Sequence, residues 1–168
     1  RRQRQMCIRD RGVFVTLHTY PDLQLRGCIG FPEPILELGE AIYEAAKAAA
    51  YEDPRFKPLD KHEKVIFEVS VLTEPELIEV NEPQEYLEKI KVGRDGLVVE
   101  CAGMRGLLLP QVAVEEKWNV EEFLGNTCLK AGLLEETWRD GDCKIYKFEA
   151  QVFYEKEPNG EIIEKRRD

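Results

Sequence analysis

The chain has 168 residues, of which 43% are hydrophobic and 34% are charged, proportions typical of a soluble globular protein with a core of its own. Its net charge of −9 disfavours general nucleic-acid binding, because such a surface repels the phosphate backbone. No stretch of about 18 consecutive apolar residues occurs, so we expect no membrane span, and the first residues lack the apolar core of a signal peptide.

The first predicted elements form a β-hairpin. Residues Gly12–Tyr20 are rich in β-branched and aromatic residues and predict a strand. Pro21-Asp22 predicts a turn, and Leu23–Gly30 predicts the returning strand. If the turn is short, His18 lies opposite residues 26–28, which makes it a candidate partner for that stretch.

The returning strand carries an unusual motif, Leu25–Gly30 (LRGCIG). It combines a cation, Arg26, with a potential nucleophile, Cys28. The glycines Gly27 and Gly30 need a reason, because glycine inside a strand usually marks a bulge or a close backbone approach. Either the strand is bulged and packed tightly under a helix, or this is an open site where a ligand or partner meets the cation and the thiol.

A helix and a proline turn follow. Apolar residues and alanines share one face of Leu38–Tyr51, which predicts a helix lying close on a sheet. Asp53-Pro54-Arg55-Phe56 then ends the helix. Arg55 can reach back to a carboxylate such as Asp53, which gives a rigid turn with an internal ion pair, or it can reach a ligand.

The rest of the chain alternates strands and helices. Val65–Leu72 predicts a strand, with Glu68 on its partly apolar second face, either in solvent or in the wall of a cleft. Further elements are expected as a helix over 82–90, a hairpin over 92–109, a helix from Asn119 or Val120 to about Ala131 and a strand over Cys143–Tyr154. Hairpins interleaved with helices predict an α+β fold, a mainly antiparallel sheet flanked by helices.

Cysteine and histidine spacing gives no sign of a metal site. The five cysteines include no Cys-x-x-Cys pair, and the two histidines are distant from each other in the sequence. This odd, widely spaced set favours reduced thiols in a cytoplasmic protein. Because G-x-G-x-x-G and Gly-Lys-Ser/Thr motifs are also missing from the sequence, we expect neither a metal nor a cofactor.

Several stretches in order resemble the AMMECR-one family, named for the Alport syndrome, intellectual disability, midface hypoplasia and elliptocytosis chromosomal region. They run from Gly12 to about Tyr154: Gly12–Leu17, Leu25–Gly30, Asp53–Phe56, Glu68–Leu72, Gly93–Leu97, Leu107–Ala113 and Lys130–Leu133. The resemblance implies one two-lobed α+β domain over 1–168. A smaller α/β lobe, about 73–106, is inserted in a larger lobe of about 1–72 plus 107–168.

The same resemblance leaves the activity open. Family members occur in archaea, bacteria and eukaryotes, and some lie near or are fused to Memo-like and radical-SAM proteins. The family has no established reaction. The preferred interpretation is a cytoplasmic protein that binds a small molecule, a peptide or a protein partner through a cleft near LRGCIG. Its contacts are predicted to be Arg26, Gly27, Gly30, Asp53, Arg55 and Glu68.

The alternative is a cysteine-dependent enzyme, or a subunit of a Memo- or radical-SAM-linked modification pathway. A cysteine nucleophile needs exposure and a nearby cation or base. Arg26 would then favour the Cys28 thiolate, His18 would act as base and Asp53 would orient a partner. RNA binding is disfavoured by the net charge, although arginines crowd residues 1–11. A homo-oligomer is compatible with either function.

Overall fold

The computed structural model describes residues 11–165. These residues fall into two compact units: the first unit, residues 11–73 with 151–165, and the second unit, residues 74–150. The arginine-rich start of the chain, on which an RNA-contacting arm would depend, lies outside the described residues. None of the helices in the described part is long and apolar enough to cross a membrane.

The first unit is built on a five-stranded sheet with the strand order β2-β1-β3-β8-β9. Its elements are β1 (Val13–Thr19), β2 (Leu25–Phe31), α1 (Leu38–Tyr51), β3 (Val65–Leu72), β8 (Ala150–Glu155) and β9 (Ile162–Glu164). β1 pairs antiparallel with both β2 and β3. Among the strands of residues 11–165, β2 lies at the edge of this sheet, so the LRGCIG motif lies at its margin.

Strand β1 and helix α1 form the core of the first unit. Alternate residues of β1, Val15 and Leu17, are fully buried, as the period of two along a strand requires. They pack with Ala45 and Ala49, which lie one helical turn apart on α1. Small alanine side chains let the helix axis approach the sheet closely, and this approach decides the shape of the motif below.

The second unit contains a four-stranded sheet with the strand order β4-β7-β5-β6. Its strands are β4 (Glu76–Leu77), β5 (Gly96–Cys101), β6 (Met104–Leu108) and β7 (Lys144–Phe148). Its helices are α2 (Tyr86–Lys89), α3 (Pro110–Glu115) and α4 (Val120–Lys130), with 3-10 turns at Pro83–Glu85 and Glu135–Arg139. The predicted α+β class with antiparallel pairing is confirmed in both units.

Helix α4 is fixed at its start by a reciprocal cap. The Asn119 side chain accepts a hydrogen bond from the Glu122 N–H, and the Glu122 carboxylate accepts one from the Asn119 N–H, each at 2.9 Å. Phe123 and Leu124 of this helix are fully buried against Leu97 and other core residues of the unit. The predicted start of this helix matches the observed one.

Residues 107–150 belong to the second unit and not to the lobe that the family resemblance implied. They were expected in the larger lobe, yet they group with the second unit. The reason is pairing: β7 runs antiparallel to β5 from Gly96↔Phe148 to Glu100↔Lys144. The single strand predicted over Cys143–Tyr154 is in fact two, β7 and β8, which belong to different sheets.

Two of the cysteines form a disulfide, Cys101–Cys143. The expectation of reduced thiols is therefore wrong for this pair. Because Glu100 pairs with Lys144 in the β5–β7 register, the next residues along these antiparallel strands come into bonding range. Among the described residues, Cys28 and Cys128 are free thiols, of which Cys128 is buried and Cys28 is half-buried.

Candidate functional site

A β-bulge in strand β2 separates the cation and the thiol of the motif. Leu17 pairs with Gly27, but its neighbour His18 pairs with Leu25, so Arg26 is the extra residue. His18 therefore lies opposite Leu25 and not, as predicted, opposite residues 26–28. The partner of Cys28 in the register is Thr16.

Both glycines of the motif face other parts of the protein. A Cβ atom built on Gly27 would collide with the carbonyl oxygen of Ala49 in α1, and one built on Gly30 would collide with the Phe14 ring. These glycines thus permit a close approach of helix α1 and of an aromatic side chain to the strand. This observation supports the packing interpretation for Gly27 and Gly30.

Arg26 turns towards the loop that precedes β3. Its Nε and Nη2 donate to the Glu63 carboxylate at 2.7 and 3.0 Å. Hydrogen bonding with Glu63 raises the pKa of Arg26 and lowers the pKa of Glu63. Because only 12% of the Arg26 side chain is exposed and Glu63 occupies its Nε and Nη2 donors, Arg26 has little surface to offer a ligand.

Asp53 joins the turn after α1 to the edge of β2. The outward N–H of Cys28 donates to Asp53 Oδ2 at 3.0 Å, which satisfies a backbone group of an edge strand. The Arg55 N–H donates to Oδ1, also at 3.0 Å. Only 5% of Asp53 is exposed, and the hydrogen bond from the Arg55 side chain, followed by these backbone bonds, holds its pKa far below the usual range.

Arg55 is the fixed cation next to Cys28. Its Nε and Nη2 donate to the two oxygens of Asp53 at 3.0 and 2.8 Å, while 55% of its side chain is exposed. These hydrogen bonds raise the pKa of Arg55, and the charge of a Cys28 thiolate adds to that rise. The Phe56 ring lies 5.5 Å from this guanidinium and 5.9 Å from that of Arg26.

The Cys28 thiol and His18, the predicted base, contact different residues. Thr16 Oγ1 donates to Cys28 Sγ at 3.1 Å. His18 Nε2 lies 4.0 Å from Glu68 Oε2, and each side chain is about a quarter exposed. In the described part of the chain, no group of three or more His, Cys, Asp or Glu side chains is placed to hold a metal ion.

The structure therefore sorts the predicted residues into three sets. Cys28, Asp53 and Arg55 are brought together, and with Thr16 we name them the Cys28–Arg55 corner. His18 and Glu68 form a second set, and Arg26 with Glu63 a third. Sequence reasoning missed Thr16 and Glu63. Thr16 could have been found from the correct hairpin register, whereas no local signal marks Glu63 as the partner of Arg26.

Chemically, the Cys28–Arg55 corner combines an oriented cation with a soft thiol and a hydroxyl. A guanidinium has five N–H donors, and Asp53 uses those on Nε and Nη2 that face it. The donors on Nη1 are left for an incoming oxyanion. The thiol partner is a hydroxyl, which positions sulfur but is a poor base for removing its proton.

Comparison with known proteins identifies the family of this chain. The AMMECR1 family model matches residues 1–153. Protein MJ0810 of Methanocaldococcus jannaschii is 61% identical over 158 residues, which cover 93% of this chain and 79% of that protein. Protein MK0488 of Methanopyrus kandleri is 56% identical over 164 residues, covering 96% and 79%.

A solved structure agrees with the fold. The crystal structure of the uncharacterized protein PH0010 from Pyrococcus horikoshii has a TM-score of 0.84 and 52% sequence identity, and the match covers 96% of this chain and 81% of that one. With the family model matching nearly the whole chain, and with relatives of this identity, the protein belongs to the AMMECR1 family, the AMMECR-one family that its motifs resemble.

Proposed function

We propose that the first unit binds an anionic group at the Cys28–Arg55 corner. The group would belong to a small molecule, a peptide or a protein partner. The observation that carries this proposal is that the guanidinium of Arg55 is fixed by two hydrogen bonds to a buried carboxylate while 55% of the Arg55 side chain is exposed. An arginine held in this way presents its remaining donors in a rigid plane suited to carboxylate or phosphate.

Preorganisation gives this guanidinium an advantage over an ordinary surface arginine. Ordering a long side chain on binding costs about 0.5–1.5 kcal/mol, and the contact with Asp53 has already met that cost in the free protein. Asp53 stays ionised at neutral pH because its pKa is held far below the usual range by Arg55. The orientation of Arg55 is therefore constant across physiological pH.

Cys28 provides a direct probe of this corner. Iodoacetate and iodoacetamide alkylate the same thiolate, but only iodoacetate carries a carboxylate. The ratio of their rate constants at Cys28 cancels the thiol pKa and reports the electrostatics at the sulfur. We expect Arg55→Gln to lower the iodoacetate-to-iodoacetamide ratio by about tenfold, because it removes a fixed positive charge near the reacting atom.

The matched control is Arg94→Gln in the second unit, which also removes an arginine held by a buried aspartate. This variant should leave the ratio at Cys28 unchanged. Mass spectrometry of the Cys28 peptide separates its labelling from that of the other thiols. An equal ratio in wild type and Arg55→Gln would show that the corner does not select for negative charge, and the proposal would be wrong.

A second candidate, a cysteine nucleophile, is favoured by one observation: the half-buried Cys28 is a free thiol, and its N–H is bonded to the same Asp53 carboxylate that holds Arg55. This function also needs a base, and His18 was the predicted one. If His18 activates Cys28, His18→Gln should slow alkylation by iodoacetamide. If Cys28 serves only as a binding contact, His18→Gln should leave that rate unchanged and Thr16→Val should alter it more, because Thr16 touches the sulfur.

A further inference from the structure

A cavity of about 470 Å³ lies in the first unit, away from the thiol of the motif. Its walls come from the end of β1, the start of β3 and the turn between β8 and β9, including Tyr20, Phe67 and Glu157. Its volume is within the range of about 300–1,000 Å³ typical of small-molecule sites. The residues that line it were not predicted as a site from the sequence.

Carboxylates give the cavity its chemical character. Glu63, Glu155 and Glu157 line it, with Lys64 as a lining cation. Glu63 is neutralised by Arg26. Within residues 11–165, neither Glu155 nor Glu157 has an ion-pair partner, so the cavity keeps a net negative charge.

Glu155 is held in place without being neutralised. Its Oε2 accepts a hydrogen bond from the Phe67 N–H at 2.9 Å. A neutral amide donor fixes the carboxylate orientation and leaves its charge intact. Oε1 then remains as an acceptor for a donor in the cavity, and a charged donor would form the stronger hydrogen bond there.

Aromatic rings complete a surface that suits a cation. Tyr20 and Phe67 line the same cavity as the carboxylates, and aromatic faces attract ammonium and guanidinium groups. One of the lining carboxylates, Glu63, already binds a guanidinium, that of Arg26, through two hydrogen bonds.

We propose that this cavity binds an organic cation, an ammonium or guanidinium group that Glu155 and Glu157 recognise. The group is carried either by a basic side chain of a peptide or by a free polyamine. This site is separate from the Cys28–Arg55 corner, which selects the opposite charge. Its ligand chemistry can be tested without any reaction at Cys28.

The test is an NMR titration of the ¹⁵N-labelled protein with Nα-acetyl-L-arginine N-methylamide, its uncharged isostere Nα-acetyl-L-citrulline N-methylamide, and spermidine. The amide signals of Phe67 and Asn159 report on occupancy. We expect the arginine derivative to bind at least about tenfold more tightly than the citrulline derivative, with affinity falling as salt is added. Tighter binding of spermidine would identify a free polyamine, and tighter binding of the arginine derivative a peptide side chain.

Variants connect binding to the carboxylates. Glu155→Gln keeps an oxygen acceptor for the Phe67 N–H, so it removes charge without removing the structural bond, and Glu157→Gln alters an exposed side chain. Each substitution should weaken the binding of the arginine derivative several-fold. Glu164→Gln, on β9, makes the same charge change at a residue that does not line the cavity, and this variant should bind the arginine derivative as the wild type does.

Three results would overturn the proposal. They are equal affinity for the arginine and citrulline derivatives, wild-type affinity in the double variant Glu155→Gln/Glu157→Gln, and no shift of the reporter amides with any of the three probes. None of these measurements depends on the anion preference at Arg55. A failure here therefore leaves the proposed function standing, and a failure of the alkylation ratio leaves this proposal standing.

Discussion

Each unit contains a buried aspartate held by a nearby arginine, and the two aspartates differ in what else they hold. Asp53 is 5% exposed and Asp95 is 1% exposed. Arg94 donates to Asp95 through Nε and Nη2 at 2.8 and 2.7 Å, much as Arg55 donates to Asp53. The local chemistry of the two pairs is therefore nearly the same.

The two aspartates differ in how far along the chain their backbone hydrogen-bond donors lie. Asp95 accepts its backbone hydrogen bond from the Lys91 N–H at 2.8 Å, so it closes the turn that leads into β5. Asp53 accepts the N–H of Cys28, 25 residues earlier in the chain. The first pair stabilises its own turn, whereas the second fixes the position of Arg55 relative to another strand. The proposed site lies where the aspartate joins distant segments.

The pairs also differ in how the carboxylate stays ionised. Hydrogen bonding from Arg55 holds the pKa of Asp53 far below its usual range. Burial by itself raises the pKa of Asp95, but hydrogen bonds from Arg94 and from the Lys91 N–H outweigh burial and leave that pKa below its usual range. Both are charged at neutral pH, with the stronger depression at Asp53.

Removing either carboxylate should produce the largest effect. Asp53→Ala leaves a guanidinium and two backbone N–H groups without their acceptor, and Asp95→Ala leaves a guanidinium and one backbone N–H. We expect each to lower the free energy of unfolding by about 3 kcal/mol, at the low end for broken buried pairs because both arginines are partly exposed. Urea denaturation measures this loss.

The same two variants should differ at Cys28. Asp53→Ala frees the edge of β2, so we expect alkylation of Cys28 by iodoacetamide to accelerate about tenfold through easier local opening. Asp95→Ala should leave the rate unchanged under conditions where both variants are folded. Glu121→Ala, which removes one member of the exposed Arg139–Glu121 pair, is the control with little effect on either measurement. Faster alkylation of Cys28 in Asp95→Ala would contradict the view that Asp95 stabilises only its own turn whereas Asp53 joins two distant segments.

Acid should reveal the next largest difference. Because the pKa of each aspartate is lower in the folded chain than in the unfolded chain, its stabilising contribution is complete above the unfolded value of about 3.9. That contribution is lost as the pH falls through the folded pKa. For Asp53 we expect it to be on the order of 2 kcal/mol after solvent screening of the exposed Arg55.

The measurement is stability against pH, from about pH 6 to about pH 2, for the wild type, Asp53→Asn and Asp95→Asn. Loss of the titrating group should flatten the acid limb of the curve. Asp53→Asn should flatten it more than Asp95→Asn, since Asp53 has the stronger pKa depression. If Asp95→Asn flattened the curve more than Asp53→Asn, burial would not be opposing the hydrogen bonds that lower the pKa of Asp95.

Local patterns explain which parts of the fold could be predicted from the sequence. The alternation in β1, the alanine-rich face of α1 and the capping residues of α4 are properties of neighbouring residues, and these elements lie where they were expected. The Asp53–Arg55 ion pair is also local, since only Pro54 separates its members. Its presence was predicted as one of two alternatives.

The features that shape the site depend on distant residues. One extra residue at Arg26 pairs His18 with Leu25, outside the predicted range of 26–28, and a bulge of this kind has no unique sequence signal beyond its glycine neighbour. The bond from Cys28 to Asp53 and the pair of Arg26 with Glu63 each join segments far apart in the chain. Likewise, residues 143–154 alternate like a single strand, and only their pairing shows that they serve two sheets.

Replacing each arginine with lysine should give the smallest effect and the sharpest comparison. Lysine keeps the positive charge but cannot form the two parallel hydrogen bonds of a guanidinium. We expect Arg55→Lys and Arg94→Lys each to lower the free energy of unfolding by about 1 kcal/mol. Urea denaturation should therefore not distinguish them.

The alkylation ratio at Cys28 should distinguish them. If Arg55 selects anions through its fixed orientation, Arg55→Lys should lower the preference for iodoacetate about threefold although the charge remains. Arg94→Lys should not change it. A full preference in Arg55→Lys would mean that charge alone suffices, and the bond between Asp53 and Cys28 would then matter for stability but not for recognition. A partial loss, smaller than that in Arg55→Gln, is the result expected of an oriented cation.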